Sequence, residues 1–282
     1  MRLFLTLILS LTLAAPLAAG EKSIVLASTT STQNSGLFDV ILPLFTAETG
    51  IRVNVVAVGT GQALRIARNG DADVLLVHHR PSEDAFVADG NGIERRDVMY
   101  NDFIIVGPSS DPAHVRDAAS APEALAAIAK HKAPFASRAD DSGTNKKELE
   151  LWAEAGLQPK GDWYLETGSG MGATLNLSAI KDTYALTDRG TWITFGNKGD
   201  LRRLYSGDPT LFNPYGIILV NPAVHPHAKV KLARAFSDWM VSAEGQAAIG
   251  AFRIEGFQAF CPNADNIPAT VKKRAACPAE TD

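Results

Sequence analysis

Residues 23–32 read SIVLASTTST. The first half is a β-rich apolar run, and the second half is a block of small hydroxyl residues standing just before a helical period over residues 36–49. A strand that ends in a polar loop and turns into a helix is the opening of an α/β unit. The same reading extends along the chain. Residues 51–58 form a second strand, 61–69 a helix, and 73–77 (DVLLV) a strand apolar on both faces. Continuous apolar strands separated by helices predict a parallel sheet covered on both sides. Further on, residues 103–106, 134–137, 184–187 and 215–220 read as strands. Residues 122–130, 144–155, 172–179, 227–241 and 244–252 read as helices, with Leu149, Trp152 and Ala153 turned inward on the second of these.

Two turn-rich stretches, residues 107–112 and 208–216, interrupt this rhythm with Gly, Pro, Ser and Asp. Read as crossings, they divide the chain into one lobe of residues 21–107 plus 215–282 and a second of residues 108–214. An interleaved pair of α/β lobes leaves a cleft between them, where small ligands bind.

Composition narrows the class. The 282 residues carry 27 Lys and Arg against 31 Asp and Glu, a net charge of -4, with 46% hydrophobic residues. Disorder and collagen-like repeats are excluded by that apolar content, and nucleic-acid binding by the lack of clustered cations. Residues 1–20 (MRLFLTLILSLTLAAPLAAG) pair Arg2 with an apolar run too short to span roughly 30 Å of hydrocarbon. They read as a signal peptide with a small-residue exit, which predicts a soluble, exported, periplasmic chain. The two cysteines, Cys261 and Cys277, are expected to pair in that oxidising compartment, closing a loop worth about 3 kcal/mol. His225 and His227 supply no third ligand, so neither a metal nor another cofactor is expected.

The small polar residues gather where strands end and helices begin: Thr29-Thr30-Ser31-Thr32, Gly59-Thr60-Gly61, residues 137–144 and residues 168–172. Helix N-termini present unsatisfied N–H groups and the positive end of the dipole. Several aimed at one point make an anion site. Ordinary N-capping accounts for one hydroxyl per helix; four junctions with doubled hydroxyls and glycines exceed that need. Arg138 is the one cation within these loops. Asp140 beside it has three open readings: partner of Arg138, cap of the following helix, or acceptor for a proton on the ligand. His78 and His79 read as a satisfied pair at a strand end, Asp188 and Arg189 as an ion pair capping a helix, with Arg189 reaching toward the anion as the alternative, and Trp152, Trp163, Trp192 and Trp239 as core.

Those loops, with residues 70–78 (GDADVLLVH), residues 98–103 (VMYNDF), Gly170-Met171-Gly172 with Thr174-Leu175, and residues 186–191 (LTDRGT), together resemble the tungstate-binding proteins of Tup-type ABC importers. The resemblance implies a two-lobed type II periplasmic binding protein, each lobe a mixed, mostly parallel sheet flanked by helices. It implies high-affinity capture of tungstate or molybdate as an oxyanion and delivery to a membrane permease and its ATPase, by a monomer without catalytic activity. Thr29, Thr30, Thr60, Ser137, Arg138, Ser142, Gly143 and Thr144 would line the site, with Gly170 and Met171 as backbone donors. Ala139 stands where the family pattern suggests Gly, and Asn145 where His is usual. Phosphate or sulfate binding within the same superfamily is the nearest alternative. An exported hydrolase or sensor is the alternative from another class, and it lacks a nucleophile elbow, a Walker loop or a zinc-protease motif.

Overall fold

The computed structural model describes residues 22–264. The first half of the chain runs β1 (Ser23–Thr29), α1 (Thr30–Asn34), α2 (Leu37–Thr49), β2 (Arg52–Val58), α3 (Thr60–Arg68), β3 (Val74–Val77), α4 (Arg80–Ala88) and β4 (Gly92–Pro108). It continues through α5 (Ala121–His131), β5 (Phe135–Ser137), α6 (Gly143–Glu154), β6 (Tyr164–Glu166), α7 (Met171–Lys181), β7 (Ala185–Asp188), α8 (Arg189–Thr194) and β8 (Leu201–Tyr205). It closes with β9 (Phe212–Val220), α9 (Val230–Met240), α10 (Ala243–Ala251) and the short strands β10 (Arg253–Ile254), β11 (Phe257–Gln258) and β12 (Cys261–Pro262).

The main sheet has the order β12-β4-β9-β3-β1-β2, with β7 and β8 also pairing β4. It is an α/β arrangement with a mixed sheet. β1 lies parallel to β2 and β3, but β9 is antiparallel to both β3 and β4, and β7 and β8 are antiparallel to β4. The parallel share is therefore smaller than the alternation of strands and helices suggests. β9 enters from the far end of the sheet rather than by a crossover helix.

Strand β4 joins the two halves. It pairs β9 as far as Asp102 and then β7 from Phe103 onward. Only residues 103–106 read as a strand in the sequence, because the front of β4 carries Glu94, Arg95, Arg96 and Asp97. Ion pairing explains their presence: Arg95 Nε is 2.8 Å from Glu83 and its Nη1 is 2.8 Å from Asp97.

Burial on both faces follows the strand period of two. Ile24, Leu26, Val74, Leu76, Ile217 and Leu219 enter one cluster beneath α2, α9 and α10, while Ala27, Leu75, Val77, Ile218 and Val220 enter another with α3 and α4. In the second half, Phe103, Ile105 and Leu186 face α5 and α6, and Ile104, Val106 and Ala185 face α7 and Trp192.

Helix α6 departs from the expected orientation. Its buried face is Thr144, Asn145, Glu148, Leu151 and Trp152, whereas Leu149 is 49% exposed and Ala153 is exposed. The inward position one turn after Thr144 is an acid, which apolar periodicity passes over. Residues 1–20 and Cys277, on which the expected signal peptide and disulfide fall, lie outside the described residues. Among the described residues no helix is long and apolar enough to cross a membrane.

Candidate functional site

Helices α3, α6 and α7 begin next to one another. The loop before α6 lies on the start of α3: a methyl group on Gly59 would stand 3.6 Å from Ser142 Cα, and the Gly61 N–H donates to the Asp141 carbonyl at 3.2 Å. A methyl on Gly61 would displace the Asp141 carboxylate, 1.8 Å away at Oδ2, and would press on the Asp141 carbonyl oxygen at 2.9 Å. Gly143, at the start of α6, is also confined, with a methyl falling 2.8 Å from His78 Cε1 and 3.0 Å from the His78 carbonyl oxygen. The loop before α7 is tied in by the Ser169 N–H, which donates to the Arg138 carbonyl at 3.1 Å. Arg65 Nη1 to Asp141 at 2.9 Å and His79 Nε2 to Glu150 at 2.8 Å bridge the same seam at its rim.

Thr60 lies within this seam, flanked by the two contacting glycines. It is fully buried, and its hydroxyl has no hydrogen-bond partner. An unpaired buried hydroxyl costs about 1 to 3 kcal/mol.

Arg138 is 4% exposed. Its Nε and Nη2 both donate to Asp140 Oδ2, at 3.2 and 2.6 Å, and Nη1 reaches Thr144 Oγ1 at 3.5 Å. Asp140 is thus the partner of Arg138, inside the seam rather than at the surface. Its other oxygen accepts from the Ser142 N–H at 3.2 Å, while the cap of α6 is Ser142, whose hydroxyl accepts from the Asn145 N–H. Ala139 adopts φ 47° and Asp141 φ 59°. Both are left-handed conformations that disfavour a Cβ, and at Ala139 this explains why Gly would suit the turn.

The hydroxyls after β1 are less available than their number suggests. Thr29 caps α1 by accepting from the Thr32 N–H, and its Oγ1 lies 2.8 Å from Thr32 Oγ1 and 3.1 Å from Ser31 Oγ. Ser31 Oγ contacts His78 Nε2 at 3.3 Å. Asn213 Nδ2 donates to Asn101 Oδ1 at 2.6 Å, leaving Asn213 Oδ1 to accept from His78 Nδ1 at 3.0 Å. His78 Nε2 is then the acceptor, and the Ser31 proton points to it. Burial, with further help from Arg138 and His79, lowers His78 to about 4 despite the Asn213 bond, so the ring is neutral at pH 7. Thr30 is half-buried at the head of α1.

Of the remaining residues singled out in the sequence, Ser137 donates to Glu148 Oε2 at 2.8 Å, Gly170 is exposed, and the Met171 side chain sits in the core. Arg189 pairs with Asp102, at 2.6 and 2.5 Å, rather than with its neighbour Asp188. Asp188 instead caps α8 through Thr191. Burial raises the Asp188 carboxyl, opposed by its Thr191 bonds and by Arg138. Sequence reasoning missed the layer behind the loops: Glu148, Asn101, Asn213 and Tyr215, all buried. Their one signal is polar identity at positions whose neighbours are core. Among the described residues no group of three or more His, Cys, Asp or Glu could hold a metal ion; His225 and His227 bond to the Arg68 and Gly70 carbonyls instead.

A family model described as a PBP superfamily domain matches residues 16–244. The tungstate-binding protein TupA of Peptoclostridium acidaminophilum is 48% identical over 248 residues, 86% of this chain and 86% of that protein. The chain belongs to the TupA family of the PBP superfamily. Two solved structures extend the TupA comparison to three dimensions. The tungstate ABC transporter structure from Geobacter sulfurreducens is 50% identical, covers 82% of this chain and 99% of its own, and has a TM-score of 0.76. The tungstate-binding protein TupA from Desulfovibrio alaskensis G20 is 44% identical, covers 86% of this chain and all (100%) of its own, and has a TM-score of 0.75. The mixed α/β fold described above is the fold of this family.

Proposed function

We propose that this chain binds a fully deprotonated tetrahedral oxyanion, tungstate first and molybdate next, and delivers it to the permease and ATPase of an ABC importer. The observation that carries this reading is the buried, unpartnered Thr60 hydroxyl at the start of α3, in the seam where α6 and Arg138 also converge. Helix N-termini and hydroxyl donors stabilise an anion without adding net charge. Thr29, Thr30, Thr60, Ser142, Gly143 and Thr144 are the donors in this reading, with Ser137, Gly170 and Met171 at its edge. Arg138 contributes through Nη1, since the rest of its guanidinium is held by Asp140. The tungstate-binding relatives support the choice of ion.

Asp140 bears on the protonation state of the ligand. Oδ2 accepts twice from Arg138 and Oδ1 once from the Ser142 N–H, so three of its roughly four acceptor sites are used within the protein and at most one is left for a proton on the ligand. Hydrogen phosphate carries such a proton at neutral pH; tungstate, molybdate and sulfate do not. The reading takes the lobes as residues 21–107 with 215–282 and residues 108–214, closing on the ion through β4 and β9. It also takes the chain as an exported periplasmic monomer with a Cys261–Cys277 bridge and a binding role rather than catalysis.

Competitive calorimetry with tungstate, molybdate, sulfate and phosphate tests the proposal. Tungstate should bind and resist displacement by phosphate, and Arg138→Ala should weaken it by at least about 2 kcal/mol by leaving the buried ion short of a charged donor. Tight phosphate binding without tungstate binding would overturn the choice of ion.

A further inference from the structure

Directly behind Ser137 lies a buried acid. Glu148 is 2% exposed, and its two oxygens are used differently. Oε1 accepts from Trp152 Nε1 at 3.1 Å and from the Tyr164 hydroxyl at 2.6 Å, while Oε2 accepts from the Ser137 hydroxyl at 2.8 Å. With both lone pairs of Oε1 engaged by the indole and the phenol, a proton taken up by this carboxyl while those two bonds persist sits on Oε2, facing Ser137.

We infer that Glu148 is a positioning residue for the oxyanion: by taking a proton on Oε2 it reverses its hydrogen bond with Ser137 and frees the Ser137 hydroxyl proton to point at the ion. This rests on the reading that Ser137 borders the oxyanion site. In the ionised state the Ser137 proton is committed to Oε2, and the serine oxygen can offer the anion only lone pairs. In the protonated state Glu148 Oε2–H donates to Ser137 Oγ, which also receives Asn145 Nδ2 at 3.5 Å. The serine then keeps its own proton for the anion. The proton comes from water, so each ion bound to the ionised form takes up one proton, and the dianion loses a buried like charge as its neighbour.

The surroundings suit a carboxyl that titrates near neutrality. Burial raises Glu148 to about 7, against the opposing bonds from Tyr164, Ser137, Trp152 and Asn145. Tyr164 on β6 is the titratable group in direct contact. Burial and the Glu148 charge push its phenol up, so it remains a neutral donor, and Glu166 on the same strand is exposed. On α5, which packs against α6, Glu123, Lys130 and His131 are all exposed. On β7, Asp188 is bonded to Thr191 and lies in the field of Arg138. Arg138 itself follows Ser137 and is paired with Asp140.

The sign follows from linkage: the protonated form binds better, so affinity is highest below the Glu148 pKa and is lost as pH rises through it. Tungstate affinity of the wild-type chain should fall about tenfold to thirtyfold from about pH 6 to about pH 8.5. Glu148→Gln places an amide N–H where Oε2–H would be. It should hold the low-pH affinity at every pH, whereas Ser137→Ala should bind weakly and show no slope. Calorimetry in two buffers of different ionisation enthalpy should read proton uptake by the wild type at about pH 8 and none by Glu148→Gln. A level wild-type profile, or a Glu148→Gln chain that keeps the wild-type slope, would overturn the switch alone. No tungstate binding by the wild type at any pH would remove the functional reading beneath it as well.

Discussion

At Arg138 the balance of charge is settled by Asp140. A guanidinium held from two nitrogens by one carboxylate oxygen is oriented more than it is free, so in the proposed reading recognition comes largely from the dipoles around it. The chain's net charge of -4 is then no obstacle to a negative ligand, because net charge acts on encounter rather than on the site. The adjoining Ala139 at φ 47° carries a left-handed strain of roughly 1 to 2 kcal/mol. Ala139→Gly should raise the stability of the chain by about 1 kcal/mol, read as a higher urea midpoint at unchanged m-value. An unchanged or lower midpoint would mean that the turn is not strained by its Cβ.

At the scale of elements, binding in the proposed reading depends on how closely the starts of α3 and α6 approach. Gly61 and Gly59 provide a matched comparison, since a methyl group at Gly61 meets Asp141 at 1.8 Å and at Gly59 meets nothing nearer than 3.6 Å. Gly61→Ala should weaken tungstate binding at least about tenfold by holding the two loops apart, while Gly59→Ala should stay within about twofold of the wild type. Equal effects of the two changes would show that the contact is not needed for binding. The starts of α3 and α6 were legible in the sequence because capping hydroxyls and glycines leave a local signature, as at Ser142 and Gly59, whereas α1, α4 and the extent of α8 went unread. Strand β4 was half legible: its apolar end, residues 103–106, announced itself, but Glu94 to Asp97 resemble a loop until Glu83 is known to lie against Arg95. Glu148 was invisible for the same reason. Its place in the core is decided by Ser137, Trp152 and Tyr164, which are brought together only by tertiary packing.

Across the whole molecule, the two halves of the sheet share β4 as one continuous strand whose partners change between Asp102 and Phe103. Each half has its own pair of apolar clusters. The two-lobed family was recognisable from several short loops taken together, since those loops carry the hydroxyls, glycines and the arginine. The partner of Arg189 was not, because Asp102 lies far away in sequence. In the proposed reading an oxyanion sits in the seam beside Thr60 and Arg138. A tungsten anomalous difference map from crystals of the chain grown with tungstate would locate that ion. The predicted result is one strong peak within about 4 Å of Thr60 Oγ1 and Arg138 Nη1, a distance set by metal–oxygen and hydrogen-bond lengths. A principal peak elsewhere on the molecule, or no ordered peak, would contradict that placement.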